Sequence, residues 1–180
     1  MNPFLELHTE KPVFNQYWYS TRTISAIADE VAEVATKAAF VSTPSIYFSL
    51  KPHTAIQENS WLLDLDSQWA EEPRYFAYDF NSPSVIPDEC RGSFDCVVLD
   101  PPFITEDVWQ KYATTARILL KDEGKIILTT IAENRDLLAD LLDVHPQMFK
   151  PSIPNLIYQY DLFTNYHSSR FSQPNPEIPD

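Results

Sequence analysis

The stretch FDCVVLDPPF, residues 94–103, joins an apolar run to an acid, two prolines and an aromatic ring. Its apolar and β-branched side chains predict a buried strand, because they suit a packed pleated surface. Pro101 and Pro102 end that strand, since proline lacks an N–H for the ladder and fixes φ. The prolines therefore predict a stiff loop that holds Asp100 and Phe103 in a fixed relation, at a strand end of the kind where open α/β sheets bind ligands. The alternative is a plain D-P-P turn with Phe103 in the core.

The chain around this stretch alternates between strand patterns and helix patterns. Strands are predicted at 38–45, 60–66, 74–80 and 125–130, and the aromatic segment 155–166 favours further strands. Helices are predicted at 21–38, 105–122 and 134–144, from apolar residues at three- and four-residue spacing, and residues 45–50 form a short helix or loop. Thr105 is expected to cap the second long helix and Gly124 to stop it. The alternation predicts an α/β fold with parallel βαβ units, in which the last segment closes the sheet antiparallel.

Length and composition favour one domain with a large core. Of 180 residues, 44% are hydrophobic, so we expect a single domain over residues 1–167 and a proline-rich flexible tail over residues 168–180. Cys90 and Cys96 are too few for a disulfide framework, which predicts a reduced, cytoplasmic setting. The first residues lack a signal-peptide pattern, and no stretch approaches the roughly 20 apolar residues of a membrane span.

The charge of the chain disfavours one class of partner. Thirteen Lys and Arg stand against 26 Asp and Glu, giving a net charge of −13. Nucleic-acid binders normally carry a basic footprint, so binding to RNA or DNA would need a basic partner subunit. A basic protein substrate fits this field better. The four histidines are scattered without ligand spacing, and no metal site is predicted.

Four segments together resemble one known family. They are NQYWYS (15–20), VSTPSIY (41–47), FDCVVLDPPF (94–103) and NLIYQYDLFTNY (155–166). They are similar to the eukaryotic translation elongation factor 1-alpha lysine methyltransferases, once described as adenine-N6 methyltransferases. The resemblance implies a Rossmann-like, seven-stranded class I methyltransferase sheet with helices on both faces. It also implies S-adenosylmethionine as cofactor and elongation factor 1-alpha as a basic protein substrate.

The resemblance also implies a catalytic role for the D-P-P-F motif. Methyl transfer from a sulfonium needs positioning more than acid–base machinery, because the donor is already activated. Asp100 and the carbonyl group of Pro101 stand where the family accepts hydrogen bonds from the target nitrogen. Phe103 would lie against the target group, through stacking or a cation–π attraction of roughly 0.5–2 kcal/mol.

Cofactor contacts are expected where the first three strands end. S-T-P-S stands in place of the usual glycine-rich first loop, so hydroxyl groups there would replace bare backbone. An acid after the second strand commonly holds the ribose hydroxyls, and polar residues after the third lie near the adenine amine. The alternatives are solvated strand-end charges, plain turns and, for the aromatic run, a hydrophobic lid. The contacts expected at the strand ends are Ser42, Thr43, Ser45, Asp64, Asp66, Asp79 and Asn81. The resemblance implies further contacts from Tyr17 and Trp18, in the aromatic run before the first helix.

Two other functions stay open at this level. An adenine-N6 methyltransferase acting on RNA or DNA would use the same D-P-P-F motif, with Phe103 stacked on a flipped base. A non-catalytic binding subunit of the methyltransferase fold would explain the glycine-free first loop.

Overall fold

A mixed sheet of seven strands runs through the computed structural model, which describes residues 1–179 and, at Ser84, the backbone only. The strand order is β3-β2-β1-β4-β5-β7-β6. The strands are β1 (Ala38–Val41), β2 (Trp61–Asp64), β3 (Tyr75–Ala77), β4 (Phe94–Leu99), β5 (Leu120–Ile131), β6 (His145–Pro146) and β7 (Tyr160–Thr164). Strands β1 to β5 are parallel, whereas β7 runs antiparallel to both β5 and β6. The predicted α/β class and antiparallel closure are confirmed.

Six α-helices accompany the sheet within residues 1–179. They are α1 (Pro3–Leu7), α2 (Thr21–Val34), α3 (Pro44–Tyr47), α4 (Ala55–Asn59), α5 (Glu106–Leu119) and α6 (Arg135–Leu142). The hydroxyl group of Thr105 accepts a hydrogen bond from the Val108 N–H, so its predicted capping of α5 is confirmed. Across residues 1–179, none of the helices has the length and apolar character needed to cross a membrane.

The strands bury side chains on both faces of the sheet. Phe40 of β1 belongs to the core that Ile24 and Ile27 of α2 cover. Its neighbour Val41 belongs to the opposite core, which Trp109 of α5 covers. Because both faces are covered, the central strands carry near-continuous apolar runs, as is typical of parallel sheets.

The order of the strands creates a crevice between β1 and β4. The chain passes from β1 to β2 and β3 on one side of β1, and β4 then pairs with its other side. The chain therefore leaves β1 and β4 in opposite directions along the sheet. Open α/β sheets bind ligands at such a switch point, where the strand order changes direction. The Asp100 N–H donates to the Val41 carbonyl oxygen at 3.3 Å, which holds the two loops side by side.

Gly124 does not stop α5 as the sequence predicted. The helix ends at Leu119, and Gly124 lies within β5. The pairing of β4 with β5 skips from Leu120 to Lys125, so residues 121–124 form an irregular bulge. A Cβ atom at position 124 would lie 2.5 Å from Cδ2 of Leu120 and 3.0 Å from the Lys121 carbonyl oxygen, so a larger residue would require the Leu120 side chain to move.

The last segment packs on the body of the protein, where the proline-rich composition had led us to expect a flexible tail. Phe171 is fully buried, and its carbonyl oxygen accepts a hydrogen bond from the Phe149 N–H at 3.0 Å. The side chain of Asn175 is also buried and donates to the Lys150 carbonyl oxygen at 2.8 Å. Asp180 lies outside the described residues.

Candidate active site

A cavity of about 350 Å³ opens beyond the carboxyl ends of β1 to β4. Its volume falls within the range of roughly 300–1,000 Å³ that is typical of small-molecule sites. The predicted site residues that line it are Tyr17, Trp18, Ser42, Thr43, Ser45, Asp64, Asp79, Asp100, Pro101 and Phe103. Asp66 and Asn81 are not among its lining residues.

The D-P-P-F loop presents both an acid and a ring to this cavity. Asp100 is partly exposed, and Phe103 is 51% exposed, so the interpretation of Phe103 as a core residue is wrong. The hydroxyl group of Thr129 donates to Oδ1 of Asp100 at 3.2 Å. Burial raises the pKa of Asp100 to about 7, although the hydrogen bond from Thr129 and the nearby hydroxyl group of Tyr19 act in the opposite direction. This carboxyl group therefore titrates near neutral pH.

The first loop makes a glycine-like turn without glycine. Ser42 has a φ of 61°, in the left-handed region, and its N–H donates to the Leu63 carbonyl oxygen at 2.8 Å. Its hydroxyl oxygen lies 2.8 Å from that of Tyr112. The side chain is therefore held by α5 while the backbone turns beside the cavity.

Thr43 carries an unsatisfied hydroxyl group at the cavity. The residue is 1% exposed, and its Oγ1 has no hydrogen-bond partner among the described residues. An unpaired buried polar group costs roughly 1–3 kcal/mol, so such groups normally have a partner. Because Thr43 lines the cavity, a polar ligand bound there would supply one. The first loop thus fits a polar cofactor such as S-adenosylmethionine.

Asp64 at the end of β2 fits the ribose position. It is 8% exposed, and its two oxygens accept hydrogen bonds from the Trp69 indole at 2.9 Å and the Leu65 N–H at 3.0 Å. Each carboxylate oxygen has a second lone pair, which leaves capacity for two ribose hydroxyls. Burial raises the pKa of Asp64 to about 7, and the two hydrogen bonds only partly offset this effect.

Asp66 lies apart from the cavity lining and anchors the N-terminal segment instead. Its carboxylate accepts hydrogen bonds from Lys11 Nζ at 3.2 Å, Gln16 Nε2 at 3.0 Å and the side chain of Gln68 at 2.5 Å. Burial acts to raise the pKa of Asp66, but these bonds outweigh it and the pKa is lowered. Of the two predicted ribose ligands, the geometry favours Asp64.

The two predicted residues after β3, Asp79 and Asn81, also differ in whether they line the cavity. Asp79 is exposed at the edge of the cavity and accepts a hydrogen bond from the Asn81 N–H at 2.9 Å, which forms a local turn. Asn81 is exposed, and its side-chain oxygen accepts a hydrogen bond from Lys111 Nζ at 2.7 Å. Asn81 therefore serves the turn, whereas Asp79 stays available to a ligand.

The N-terminal segment forms one wall of the cavity. Asn15 donates from its side-chain amide to the carbonyl oxygen of Pro102, which ties this wall to the D-P-P-F loop. Tyr17 is partly exposed there. The Trp18 indole instead donates to the His8 carbonyl oxygen at 3.2 Å, and its ring packs edge-on against Phe4. Trp18 thus lines the cavity while its ring is held by contacts within the N-terminal segment.

Sequence reasoning missed several residues that hold the site together. They are Thr129, Tyr112, Trp69 and Tyr160. A signal existed for Thr129, because Leu128 pairs with Leu99 and two threonines end the strand pattern of residues 125–130 beside Asp100. No local signal pointed to Trp69 or Tyr112, whose sequence positions are those of ordinary packing residues.

The sheet order and the cavity at its switch point define a class I methyltransferase fold. A didemethyltoxoflavin N1-methyltransferase from Burkholderia thailandensis aligns with a TM-score of 0.51 and 15% identity, over 80% of this chain and 77% of that one. The N-methyltransferase NodS from Bradyrhizobium japonicum aligns with a TM-score of 0.53 and 7% identity, over 79% and 84%. Both structures hold S-adenosylhomocysteine. At these identities the likeness shows the fold.

The chain belongs to the family described as probable N6-adenine methyltransferases, whose model matches residues 10–168. EEF1A lysine methyltransferase 1 of Danio rerio is 33% identical over 88% of this chain and 99% of its own length. The Gallus gallus protein of the same name is 36% identical over 86% and 74%. The protein-lysine N-methyltransferase EFM5 of Saccharomyces cerevisiae is 36% identical over 64% of this chain and 50% of its own. The resemblance seen in the four sequence segments is thereby confirmed.

Proposed function

We propose that this protein is an S-adenosylmethionine-dependent lysine N-methyltransferase that modifies elongation factor 1-alpha in the cytoplasm. The observation that carries the proposal is the D-P-P-F loop, in which two prolines fix Asp100 and Phe103 at the edge of a ligand-sized cavity. The names of the relatives supply the substrate, and both cysteines are free thiols, which suits a reduced compartment.

The first three strand ends would hold the cofactor. When bound, S-adenosylmethionine supplies a methyl group already activated on a sulfonium. The Thr43 hydroxyl would gain the partner it lacks, with Ser42 before it in the loop and Ser45 after it in α3. Asp64 would accept hydrogen bonds from the ribose, while Asp79 lies where the adenine amine is expected.

Asp100 would prepare the target amine. A lysine with a pKa near ~10.4 is almost entirely protonated at neutral pH, and forming the free amine costs about 4 kcal/mol. Because burial raises the pKa of Asp100 to about 7, its carboxylate accepts a proton more readily than an ordinary aspartate. It would accept the hydrogen bond or the proton from the lysine nitrogen and leave the lone pair free for the methyl group. The proton then passes to water at the cavity mouth.

Aromatic rings would guide the lysine chain into place. Phe103, Tyr17 and Tyr158 are partly or largely exposed and line the same cavity. An ammonium group over such a ring gains roughly 0.5–2 kcal/mol, and the aliphatic stem packs on it as well. Together with the net charge of −13, these rings favour a cationic protein side chain over a phosphate-bearing partner.

A methylation assay with purified components tests the proposal. The chain, radiolabelled S-adenosylmethionine and elongation factor 1-alpha should give label on lysine, and Asp100→Ala should lose most of it. Asp122→Ala is the matched control, because Asp122 is exposed in the bulge of β5, outside the cavity lining. Absence of lysine label with the wild type, or equal rates for wild type and Asp100→Ala, would overturn the proposal.

A thermal shift with S-adenosylhomocysteine separates this enzyme from a non-catalytic member of the fold. Ligand at about 100 times its dissociation constant stabilises a protein by about 2.7 kcal/mol. We expect that stabilisation for the wild type and for Asp100→Ala, because Asp100 serves the target rather than the cofactor. Absence of stabilisation at saturating ligand would favour the non-catalytic function.

Adenine methylation is the second candidate, and the description of the family favours it. An exposed phenyl ring beside Asp100 suits a flipped adenine as well as a lysine. The acidic balance argues against it for the chain alone. Labelling of an RNA or DNA oligonucleotide by the purified chain, with none of elongation factor 1-alpha, would reverse the preference.

A further inference from the structure

Two buried hydroxyl groups lie beside Asp100, that of Thr129 outside the cavity lining and that of Tyr19 in a residue that lines the cavity. Thr129 of β5 is 1% exposed and donates to Oδ1 of Asp100 at 3.2 Å. The hydroxyl oxygen of Tyr19, which is also buried, lies 2.6 Å from Oγ1 of Thr129. The three groups form a chain that ends at the one member partly exposed to the cavity.

The direction of this chain follows from proton counting. An ionised carboxylate can only accept hydrogen bonds, so Thr129 donates its single hydroxyl proton to Asp100. Thr129 can then only accept from Tyr19, which makes Tyr19 the donor in that pair. While Asp100 is ionised, Thr129 therefore directs its hydroxyl proton at the carboxylate and Tyr19 directs its own at Thr129, which restrains the Asp100 side chain.

We propose that Thr129 and Tyr19 are positioning residues that hold Asp100 ionised and oriented toward the target amine. This inference rests on the proposed function. Hydrogen bonds donated to a carboxylate favour its charged form, and here they oppose the cost of burial. Without them, Asp100 would take up a proton at higher pH and lose its acceptor role near neutrality.

The groups around Asp100 do not compete with it in this pH range. The titratable side chains that interact with it are Tyr19, Tyr112 and Tyr160. Burial raises the pKa of all three tyrosines, and the charge of Asp100 raises each further, so they stay neutral. Asp64 lines the same cavity and also has a pKa raised to about 7, so the pH profile of a Thr129 variant is read relative to the wild type, in which Asp64 is unchanged.

Thr129→Val removes the hydroxyl group and nearly keeps the volume of the side chain. We expect the ratio of wild-type to variant kcat/KM to be about ten near pH 6.5 and to approach about one near pH 9, because ionisation then no longer needs the donor. Thr129→Ser should restore the wild-type profile, and Tyr19→Phe should give a smaller change of the same form. Thr130→Val is the matched control, since Thr130 contacts Trp109 and Asn134 instead. Any loss of kcat/KM in Thr130→Val should have the same factor at every pH.

A carbon-13 NMR titration of the Asp100 carboxyl group separates this inference from the proposed function, because it needs neither substrate nor turnover. The midpoint should move to higher pH in Thr129→Val and return in Thr129→Ser. An unchanged midpoint, or a rate ratio independent of pH in an active enzyme, overturns the positioning role alone. An inactive wild type overturns the proposed function, whatever the titration shows. If Thr129→Val fails to fold, an unchanged midpoint in Tyr19→Phe is the overturning result.

Discussion

The side-chain amide of Asn15 donates a hydrogen bond to the carbonyl oxygen of Pro102, 87 residues further along the chain. Asn15 itself has a φ of 53°, in the left-handed region that asparagine and glycine adopt more easily than other residues. The N-terminal wall and the D-P-P-F loop thus depend on each other for their placement around the cavity. This link connects two of the sequence segments on which the family resemblance rests.

Asn15→Gly should loosen the wall while keeping a residue that accepts a positive φ. One hydrogen bond contributes about 0.5–1.5 kcal/mol, so we expect affinity for S-adenosylhomocysteine to fall about two- to tenfold. Isothermal titration calorimetry would measure it. Asn81→Ala is the control, because Asn81 is exposed and outside the cavity lining. Equal affinities for Asn15→Gly and the wild type would contradict a role for this wall in binding.

Thr43→Val should change stability and binding in opposite directions. The hydroxyl group is buried without a partner, so replacing it by a methyl group should raise the free energy of unfolding of the ligand-free protein by about 1–3 kcal/mol. The same change removes a donor from the cofactor site, and affinity for S-adenosylhomocysteine should fall. Urea unfolding and calorimetry on one preparation give both quantities. A variant that loses stability and binds normally would show that Thr43 has a structural role only.

Asp64 should make cofactor binding depend on pH. Burial raises its pKa to about 7, so the free protein holds a proton there at lower pH. Ribose hydroxyls donate to the ionised carboxylate, and binding below about pH 7 must first release that proton. The dissociation constant of S-adenosylhomocysteine should therefore be flat above about pH 7 and rise about tenfold per pH unit below it.

Two variants test whether Asp64 causes the pH dependence of S-adenosylhomocysteine binding. Asp64→Asn should bind more weakly with little change across the same range. Asp100 also has a pKa of about 7, so Asp100→Asn is the necessary comparison, and it should keep the wild-type dependence. If Asp100→Asn removes the dependence and Asp64→Asn keeps it, the assignment of the ribose to Asp64 is wrong.

The sequence revealed those parts of the site that obey local rules. A diproline after an apolar run fixes the end of β4, and Thr105 caps α5 by a short-range hydrogen bond. Asp64 and Asp66 could not be separated in this way, because both lie at the end of the same strand and the partners that hold Asp66 away from the cavity are distant in sequence. Lys11 and Gln16, which donate hydrogen bonds to Asp66, are about 50 residues earlier in the chain.

Local rules also failed where tertiary packing overrides them. Gly124 was predicted to stop α5, yet it lies in the bulge of β5, close to the Leu120 side chain. Strand β6 has two residues, too few to leave an alternating pattern. Only residues 160–164 of the aromatic segment 155–166 form a strand, because pairing with β5 ends at Tyr160.

Phe171 tests whether composition or packing governs the last segment. Proline-rich sequence predicts mobility, but this ring is fully buried with its centroid 5.7 Å from that of Phe149. Phe171→Ala should lower the free energy of unfolding by about 3–5 kcal/mol, as for other buried aromatic residues, in urea unfolding followed by fluorescence. Gln173→Ala is the matched control, because Gln173 is exposed in the same segment, and it should change stability by less than about 0.5 kcal/mol. Similar small effects for both variants would mean that the segment leaves the body in solution, as its composition predicted.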